Sequence, residues 1–206
     1  MTGQYRVILA DPPWAYENTH SRAAVRDVAT LRHDELPPRR NAARHYSGVL
    51  TVSQVAALPV RELASRDAAL FLWVTMIHLP DAAAVMEAWG FHYRTAAFSW
   101  VKLNADGTPF KGLGNYTRAN AELCLLGLRG KPKRKARDVS QIILSRRRQH
   151  SRKPDEQYER IMRLFDGPYC ELFARQQWPG WQTAFSNQDG KFPAQPFLLP
   201  ESMVSA

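Results

Sequence analysis

Cysteine is scarce in this 206-residue chain, and its two cysteines lie far apart, each in an apolar run. Neither Cys124 nor Cys170 belongs to a Cys-x-x-Cys motif or to a cysteine and histidine cluster with the spacing of zinc ligands. The six histidines are scattered, and no two of them have the i, i+4 spacing that places side chains on one face of a helix. The sequence therefore predicts two buried, reduced thiols, no disulfide and no metal site.

Long hydrophobic runs are also absent. No stretch reaches the roughly 20 apolar residues that a membrane-spanning helix needs. Residues 1–6 lack the charged, apolar and small-residue regions of a secretory signal. These features predict a cytoplasmic protein without a membrane partner.

Acidic residues are nearly missing from residues 129–153, which hold eleven lysines and arginines and one acid, Asp138. This basic segment carries a charge of +10 and the rest of the chain carries −1, so it accounts for the whole net charge of +9. Such a concentration, with Arg146, Arg147 and Arg148 in succession, is typical of a surface that contacts nucleic-acid phosphates. Charge alone leaves two alternatives open, an acidic protein partner and a simple solvated loop.

Short apolar runs alternate with amphipathic segments, which predicts an α/β fold whose sheet is covered on both faces. The predicted strands are 6–10, 68–74, 94–103, 122–128, 139–144, 169–174 and 182–186. The predicted helices are 53–64, with Pro59 as a break or kink, 80–89 and 154–165. The length favours one domain over residues 1–190, with a long loop at about 17–45 and a C-terminal tail at 191–206.

The motif Asp11-Pro12-Pro13-Trp14 follows the apolar run 7–10, at the carboxyl end of the first predicted strand, where open α/β sheets bind ligands. A turn at a strand end is the simpler interpretation of such a string. Its chemistry suits an exocyclic amine, because the Asp11 carboxylate accepts one N–H and the Pro12 carbonyl accepts the other, which makes an adenine nitrogen more nucleophilic. Trp14 offers a flat face for a base that has left its stack.

Two other predicted strands end in polar residues, Arg175 after one and Asn187-Gln188 after the other. Together with Asp11 they present an acid, a base and two amides at one edge of the sheet. This set suits a charged, hydroxyl-rich small molecule, such as a sulfonium methyl donor.

Several separated strings resemble, in the same order, the N6-adenine methyltransferases that carry the Asp-Pro-Pro-Trp motif, the family of the catalytic subunit of the eukaryotic messenger-RNA N6-adenosine methyltransferase. The resemblance covers residues 5–190 and looks like a bacterial or phage type. The matching strings are ADPPW at 10–14, YSG at 46–48, LFLWVT at 70–75, WVK at 100–102, AELCLLG at 121–127, SRKPDE at 151–156, ELFAR at 171–175 and SNQDG at 186–190.

The resemblance implies a single Rossmann-like class I methyltransferase domain, with a mostly parallel twisted sheet, helices on both faces, and a catalytic motif that precedes the cofactor-binding motif. It implies S-adenosylmethionine as the cofactor. Carried over by position, the catalytic residues are Asp11, Pro12, Pro13 and Trp14. The cofactor-binding residues are Asp11, Glu171, Phe173, Arg175, Asn187 and Gln188. The substrate-binding residues are Tyr46, Trp100, Lys102, Glu122 and Lys153, beside the phosphate-binding Arg146, Arg147 and Arg148.

Two of these residues have simpler interpretations, since Trp100 suits core packing and Glu122 suits a local hydrogen-bond acceptor. The residues Gln176-Gln177 depart from the family's string and put nearby cofactor contacts in doubt. The resemblance predicts methylation of the 6-amino group of adenine in DNA. The same reaction on RNA and a non-catalytic nucleic-acid-binding subunit are the alternatives, and a monomer and a homodimer are equally compatible with the sequence.

Overall fold

The computed structural model describes residues 4–15, 49–114, 116–148 and 152–185. These residues contain seven β-strands and four α-helices, and Met76–His78 forms a short 3₁₀ turn. The strands are β1 (Tyr5–Ala10), β2 (Ala64–Val74), β3 (His92–Leu103), β4 (Ala121–Arg129), β5 (Ile142–Arg146), β6 (Tyr169–Leu172) and β7 (Trp181–Ala184). The helices are α1 (Val52–Ala56), α2 (Val60–Leu63), α3 (Leu79–Ala88) and α4 (Glu156–Leu164). The predicted loop 17–45, Tyr46, Asn187, Gln188 and the tail 191–206 lie outside the described residues.

All seven strands join one sheet in the order β5-β3-β4-β2-β1-β6-β7. Four neighbouring pairs are parallel, and β4 runs antiparallel to both of its neighbours, β2 and β3. The prediction of a mostly parallel sheet is therefore confirmed. Six of the strands have their carboxyl ends on one side of the sheet, which is called here the motif edge. The side where these six strands begin is called the far edge.

The central strands β1 and β2 are covered on both faces, which explains their unbroken apolar runs. Alternate residues face opposite sides of the sheet. Ile8 and Leu70 belong to the core that packs with α1 and α3, whereas Leu9 and Phe71 belong to the core that packs with α4. Asp11 has the parity of Leu9, and Glu171 pairs with Leu9 in the sheet. Both carboxylates are thus placed on the α4 face.

The predicted helix 53–64 is two helices, as Pro59 suggested. Thr51 caps α1 in a capping box with Gln54, and Pro59 stands at the start of α2. The helix α3 carries Pro80 in its first turn and stops before Gly90, whose φ of +80° suits glycine.

The strand predicted at 139–144 lies later in the chain, at Ile142–Arg146. The start of this strand is also bound by α4, because the Arg160 guanidinium donates to the carbonyls of Ser140 and Ile142, the latter at 2.8 Å. The Gln141 carbonyl between them accepts from Ser99 of β3 at 2.9 Å. Since successive carbonyls point to opposite sides of a strand, Arg160 covers the outer side of the edge strand β5.

Candidate active site

The Asp-Pro-Pro-Trp motif leaves the sheet at the end of β1 and is held by backbone hydrogen bonds. The Trp14 amide donates to the Pro12 carbonyl at 2.9 Å, and the Leu50 amide donates to the Pro13 carbonyl at 2.8 Å. Trp14 and Leu50 also form an isolated parallel bridge. A carbonyl oxygen carries two lone pairs, so Pro12 keeps acceptor capacity for a further donor. The motif is therefore fixed by its neighbours and more ordered than an ordinary turn.

Trp14 is buried beneath this motif, with 4% of its surface exposed. Its indole N–H donates to the Trp73 carbonyl at 3.1 Å, and its ring stacks on His78 with 5.3 Å between centroids and 22° between planes. The observed contacts hold the motif against the end of β2, and the stacking of a base on Trp14 stays a prediction.

Lys153 connects the motif to Glu122 of β4 on the same face of the sheet. Its ammonium donates to both carboxylate oxygens of Asp11, at 2.7 and 2.8 Å, and lies 3.2 Å from Oε2 of Glu122. The other oxygen of Glu122 accepts from Lys102. Asp11, Lys153, Glu122 and Lys102 thus form a neutral chain of alternating charges.

Burial by itself would lower the pKa of the Lys153 ammonium, since only 9% of the side chain is exposed, but the carboxylates of Asp11 and Glu122 outweigh burial and raise that pKa. Burial would likewise raise the pKa of Glu122, but Lys153 and Lys102 outweigh it and lower that pKa. Both residues are therefore charged at neutral pH. The predicted role of Glu122 as a local acceptor matches its contacts.

Glu171 is a second carboxylate on the same face, in β6, and 7% of it is exposed. The pKa of Glu171 is raised to about 8, mainly by burial and in addition by the negative charge of Asp11. The Tyr158 hydroxyl donates to both carboxylate oxygens, at 2.9 and 3.0 Å, and partly opposes this rise. Tyr158 is itself stacked on Trp178, with 4.4 Å between ring centroids and 9° between planes. At pH 7 Glu171 is mostly protonated and is poised to ionise beside a cation.

A cleft at the motif edge lies between β1, β6 and the start of α4. Phe173, directly after β6, has a φ of 62°, a left-handed conformation that side chains other than glycine rarely adopt and that surrounding contacts must hold. Its amide donates to the Ala184 carbonyl of β7 at 3.1 Å. The lining residues are Asp11, Trp73, Arg152, Lys153, Gln157, Tyr158, Glu171, Phe173, Arg175 and Gln176. Two carboxylates and several cations therefore face one cleft, a set that suits a molecule carrying both positive and negative groups.

A family model described as MT-A70 matches residues 5–186. The chain belongs to the MT-A70 family. The family consists of N6-adenine methyltransferases that use S-adenosylmethionine.

Named relatives of this MT-A70 chain come from bacteria, plants and animals. It is 31% identical over 185 residues to the type II methyltransferase M.MunI of Mycoplasma sp, which covers 86% of this chain and 75% of the relative. It is 30% identical over 176 residues to an MT-A70-like N6-adenosine-methyltransferase of Arabidopsis thaliana, and 30% over 194 residues to the human catalytic subunit METTL3. The chain spans only 22% and 29% of those two proteins.

Two further sequence-predicted residues of the MT-A70 site lie beside the charge chain. Trp100 is 3% exposed and packs edge-on against Trp73, with 6.3 Å between ring centroids. The Lys102 ammonium lies 5.0 Å from the centroid of the Trp100 ring. The indole N–H of Trp100 is buried and has no hydrogen-bond partner among the residues that the structure describes. The alternative of core packing for Trp100 is therefore confirmed by its burial, and its role toward a base stays a prediction.

The basic segment does not form one surface. Arg129, at the end of β4, pairs with Ala68 at the start of β2 and so lies at the far edge. Arg146, at the end of β5, pairs with Leu103 at the motif edge. The strand β5 thus carries the chain from one edge to the other, and only the second half of the segment reaches the cleft. Strand pairing therefore separates the two halves of the segment, and its binding to phosphates stays a prediction.

The three predicted phosphate-binding arginines differ in their surroundings. Arg146 is exposed. The Arg147 guanidinium lies 3.7 Å from the centroid of the Phe110 ring. Arg148 donates to Asp155 at 2.6 Å and is therefore already paired with an acid.

Sequence reasoning assigned no role to several residues of the cleft. Tyr158, Gln157 and Trp73 read as core positions of a helix and a strand, and Trp73 indeed donates to Gln157 at 2.7 Å. Arg152 and Gln176 both bind Asp155 at the cleft rim. Position in the strings 70–75 and 151–156 is a signal that could have found Trp73 and Arg152, whereas Gln157, Tyr158 and Gln176 lie outside the matching strings.

Among the described residues no group of histidine, cysteine and acidic side chains is arranged to hold a metal ion. Both cysteines are free and buried, as predicted. No helix in the described ranges is long and apolar enough to cross a membrane.

Proposed function

We propose that this protein transfers the methyl group of S-adenosylmethionine to the 6-amino group of adenine in DNA. The observation that carries the proposal is the position of the Asp11 carboxylate, at the motif edge and in the same cleft as Glu171. The MT-A70 match supports the reaction class.

The cleft fits S-adenosylmethionine because that molecule carries a sulfonium, an ammonium and a carboxylate. Asp11 and Glu171 are suited to the positive groups, and Arg175 is suited to a negative one. Phe173 completes the wall, while Asn187 and Gln188 are proposed from the sequence to bind the ribose. When bound, the cofactor supplies a methyl group that its sulfonium activates for transfer.

Asp11 and Pro12 would receive the amine. The carboxylate accepts one N–H and the second lone pair of the Pro12 carbonyl accepts the other, so the nitrogen lone pair is directed at the methyl carbon. S-adenosylmethionine, when bound, would supply the methyl group and keep the electrons of its S–C bond on sulfur, and Asp11 would accept the proton that the nitrogen loses and pass it to water.

Lys153 prepares Asp11 for this role. It donates to both oxygens of the Asp11 carboxylate, and its contact with Glu122 at 3.2 Å provides a second place for the ammonium when the amine takes over an Asp11 oxygen. Lys102 keeps Glu122 ionised in turn. The substrate can therefore enter without leaving a buried charge unpaired.

DNA is proposed over RNA on the basis of the relatives. The chain spans 75% of M.MunI, a type II methyltransferase, but less than a third of the enzymes whose names specify adenosine, a ribonucleoside. A nucleic-acid substrate agrees with the cytoplasmic location predicted from the sequence.

Methyl transfer should be measured with DNA and RNA oligonucleotides that share one set of adenine contexts, by mass spectrometry of the nucleosides. We expect N6-methyldeoxyadenosine with the wild-type protein and none with Asp11→Asn, which keeps the side-chain shape and removes the charge. Methylation of the RNA oligonucleotides alone would show that the substrate is RNA and not DNA. Activity of Asp11→Asn equal to that of the wild-type protein would refute the mechanism.

A non-catalytic nucleic-acid-binding subunit is the alternative of another class. It predicts no binding of S-adenosylmethionine in a calorimeter while nucleic-acid binding remains. The intact motif and the two carboxylates in the cleft favour the enzyme.

A further inference from the structure

Four cations of the basic segment lie at the far edge of the sheet, remote from the cleft. Lys131, Lys133, Arg134 and Arg137 are exposed, and none of them forms an ion pair with any residue that the structure describes. The strand β1, which separates this edge from Asp11, has six residues. Such a strand is about 20 Å long, so a nucleotide in the cleft does not reach these cations.

The segment that carries them is anchored to the body of the protein. The Lys131 amide donates to the Asp67 carboxylate at 2.6 Å, and the Lys135 amide donates to the Leu164 carbonyl at 2.8 Å. The Lys135 ammonium binds Asp166 at 2.6 Å. The four cations therefore project from a backbone whose position is set, instead of from a loop without tertiary contacts.

The charge at this edge remains strongly positive after its acids are counted. The far-edge patch is defined as residues 130–138 with the residues whose side chains they hydrogen-bond, and it holds six cations and three carboxylates, a net charge of +3. The cations are Lys131, Lys133, Arg134, Lys135, Arg137 and Arg163. The carboxylates are Asp67, Asp138 and Asp166.

The composition of the patch points to phosphates and away from a protein partner. Residues 130–138 contain no large apolar or aromatic side chain, whereas the cores of protein interfaces are rich in these and poor in lysine. Nucleic-acid backbones are contacted mainly by lysine and arginine. On the face between the two edges, the exposed acids Glu156 and Glu159 interrupt the positive charge, so the patch is separate from the cations at the cleft.

We infer that the far-edge patch is a second nucleic-acid-binding surface, which holds the phosphate backbone of a part of the nucleic acid that is remote from the target base. This inference rests on the proposed function, since it takes the substrate polymer as the occupant. A distance of about 20 Å corresponds to roughly 6 base pairs of duplex, so only a longer polymer contacts both edges.

The test compares two variants that lose the same charge. Lys133→Ala/Arg134→Ala removes two cations from the patch, and Arg146→Ala/Arg147→Ala removes two from the motif edge. Binding of two duplexes is measured by fluorescence anisotropy over a range of salt concentrations: an 8-base-pair duplex whose target adenine is central, so that each arm spans only about 14 Å, and a 40-base-pair duplex. Thermal denaturation of both variants checks that they are folded.

We expect the patch variant to bind the short duplex like wild type and the long duplex more weakly, with a slope of log K against log salt that is smaller by about 2. The motif-edge variant should bind both duplexes more weakly. Methylation of the short duplex at saturating concentration should be unchanged in the patch variant.

An equal loss for both duplexes would mean that the patch belongs to one continuous surface, and no loss for either would mean that it does not bind nucleic acid; both results overturn the inference. If the wild-type protein methylates neither DNA nor RNA but the patch variant still loses affinity only for the long duplex, the proposed function fails and the second surface stands.

Discussion

Replacement of Glu171 by glutamine should change how the stability of this protein depends on pH. In the folded state burial raises the pKa of Glu171 from 4.5 to about 8. The folded state therefore binds a proton more tightly than the unfolded chain, and the stability that this proton provides is lost as the pH rises from about 4.5 toward about 8. Glutamine has nearly the same shape, stays neutral at every pH and keeps an acceptor for the Tyr158 hydroxyl.

The size of the effect follows from the shift. One pKa unit corresponds to about 1.4 kcal/mol, so the free energy of unfolding of the wild-type protein should fall, relative to Glu171→Gln, by on the order of 1 kcal/mol for each pH unit between about pH 5 and about pH 8. The total difference in the free energy of unfolding is on the order of 4 kcal/mol. A typical domain is stabilised by roughly 5–15 kcal/mol, so this difference is a large part of the whole. Above about pH 8 the two proteins should keep a constant difference.

Urea denaturation of both proteins at about pH 5, 6, 7, 8 and 9 measures this difference. Other groups cancel in the comparison, because they are present in both proteins and because burial raises the pKa values of Cys170 and Tyr158 above this range. Parallel curves for the two proteins would refute the reasoning, since they would show that Glu171 does not change its protonation in the folded state within this range.

Three further predictions concern the site and the motif edge. Asp11→Ala should abolish methyl transfer and leave salt-dependent nucleic-acid binding nearly intact, because the phosphate-binding cations lie elsewhere. Tyr158→Phe removes the hydroxyl that lowers the pKa of Glu171, so its pKa should rise and the calorimetric affinity for S-adenosylmethionine should reach its plateau at a higher pH than in the wild-type protein. Arg147→Ala should weaken nucleic-acid binding more than Arg148→Ala, because Arg148 is already paired with an acid.

Each of these has an outcome that contradicts it. Equal loss of methylation and binding in Asp11→Ala would indicate misfolding, and circular dichroism provides the control. If the affinity of Tyr158→Phe for S-adenosylmethionine depended on pH as in the wild-type protein, the ionisation of Glu171 would not control cofactor binding. An equal or larger effect of Arg148→Ala would show that its ion pair with Asp155 opens for phosphate.

All seven strands and the three helical regions are predictable from the sequence, because buried strands and amphipathic helices leave their patterns in consecutive residues. The direction of β4 is not, since its run from Ala121 to Arg129 is equally apolar whether the strand runs parallel or antiparallel to its neighbours. Because β4 runs antiparallel to its neighbours, it ends at the far edge, and the basic segment that follows it begins there. A local count of charge therefore found the cations but did not divide them between two edges of the sheet.

The site was predictable where a residue type already implies chemistry. Asp11 is of this kind, but its partner Lys153 is 142 positions away, and only the order of the family's strings brought both into one prediction. The pair of Tyr158 and Glu171 could not be predicted, because its chemistry comes from burial between α4 and β6 and no local pattern reports that burial. The burial of Trp14 could not be predicted for the same reason, since an aromatic side chain suits a core and a binding surface equally.

The contact of Arg160 with the outer carbonyls of Ser140 and Ile142 has a consequence for association between molecules. An edge strand with open carbonyls is a template on which another chain can add a strand, and β5 also exposes the apolar side chains of Ile142 and Leu144. A guanidinium that occupies these acceptors denies them to a foreign amide. One side chain of α4 thereby blocks two acceptors at the start of β5 on which a foreign strand would otherwise pair.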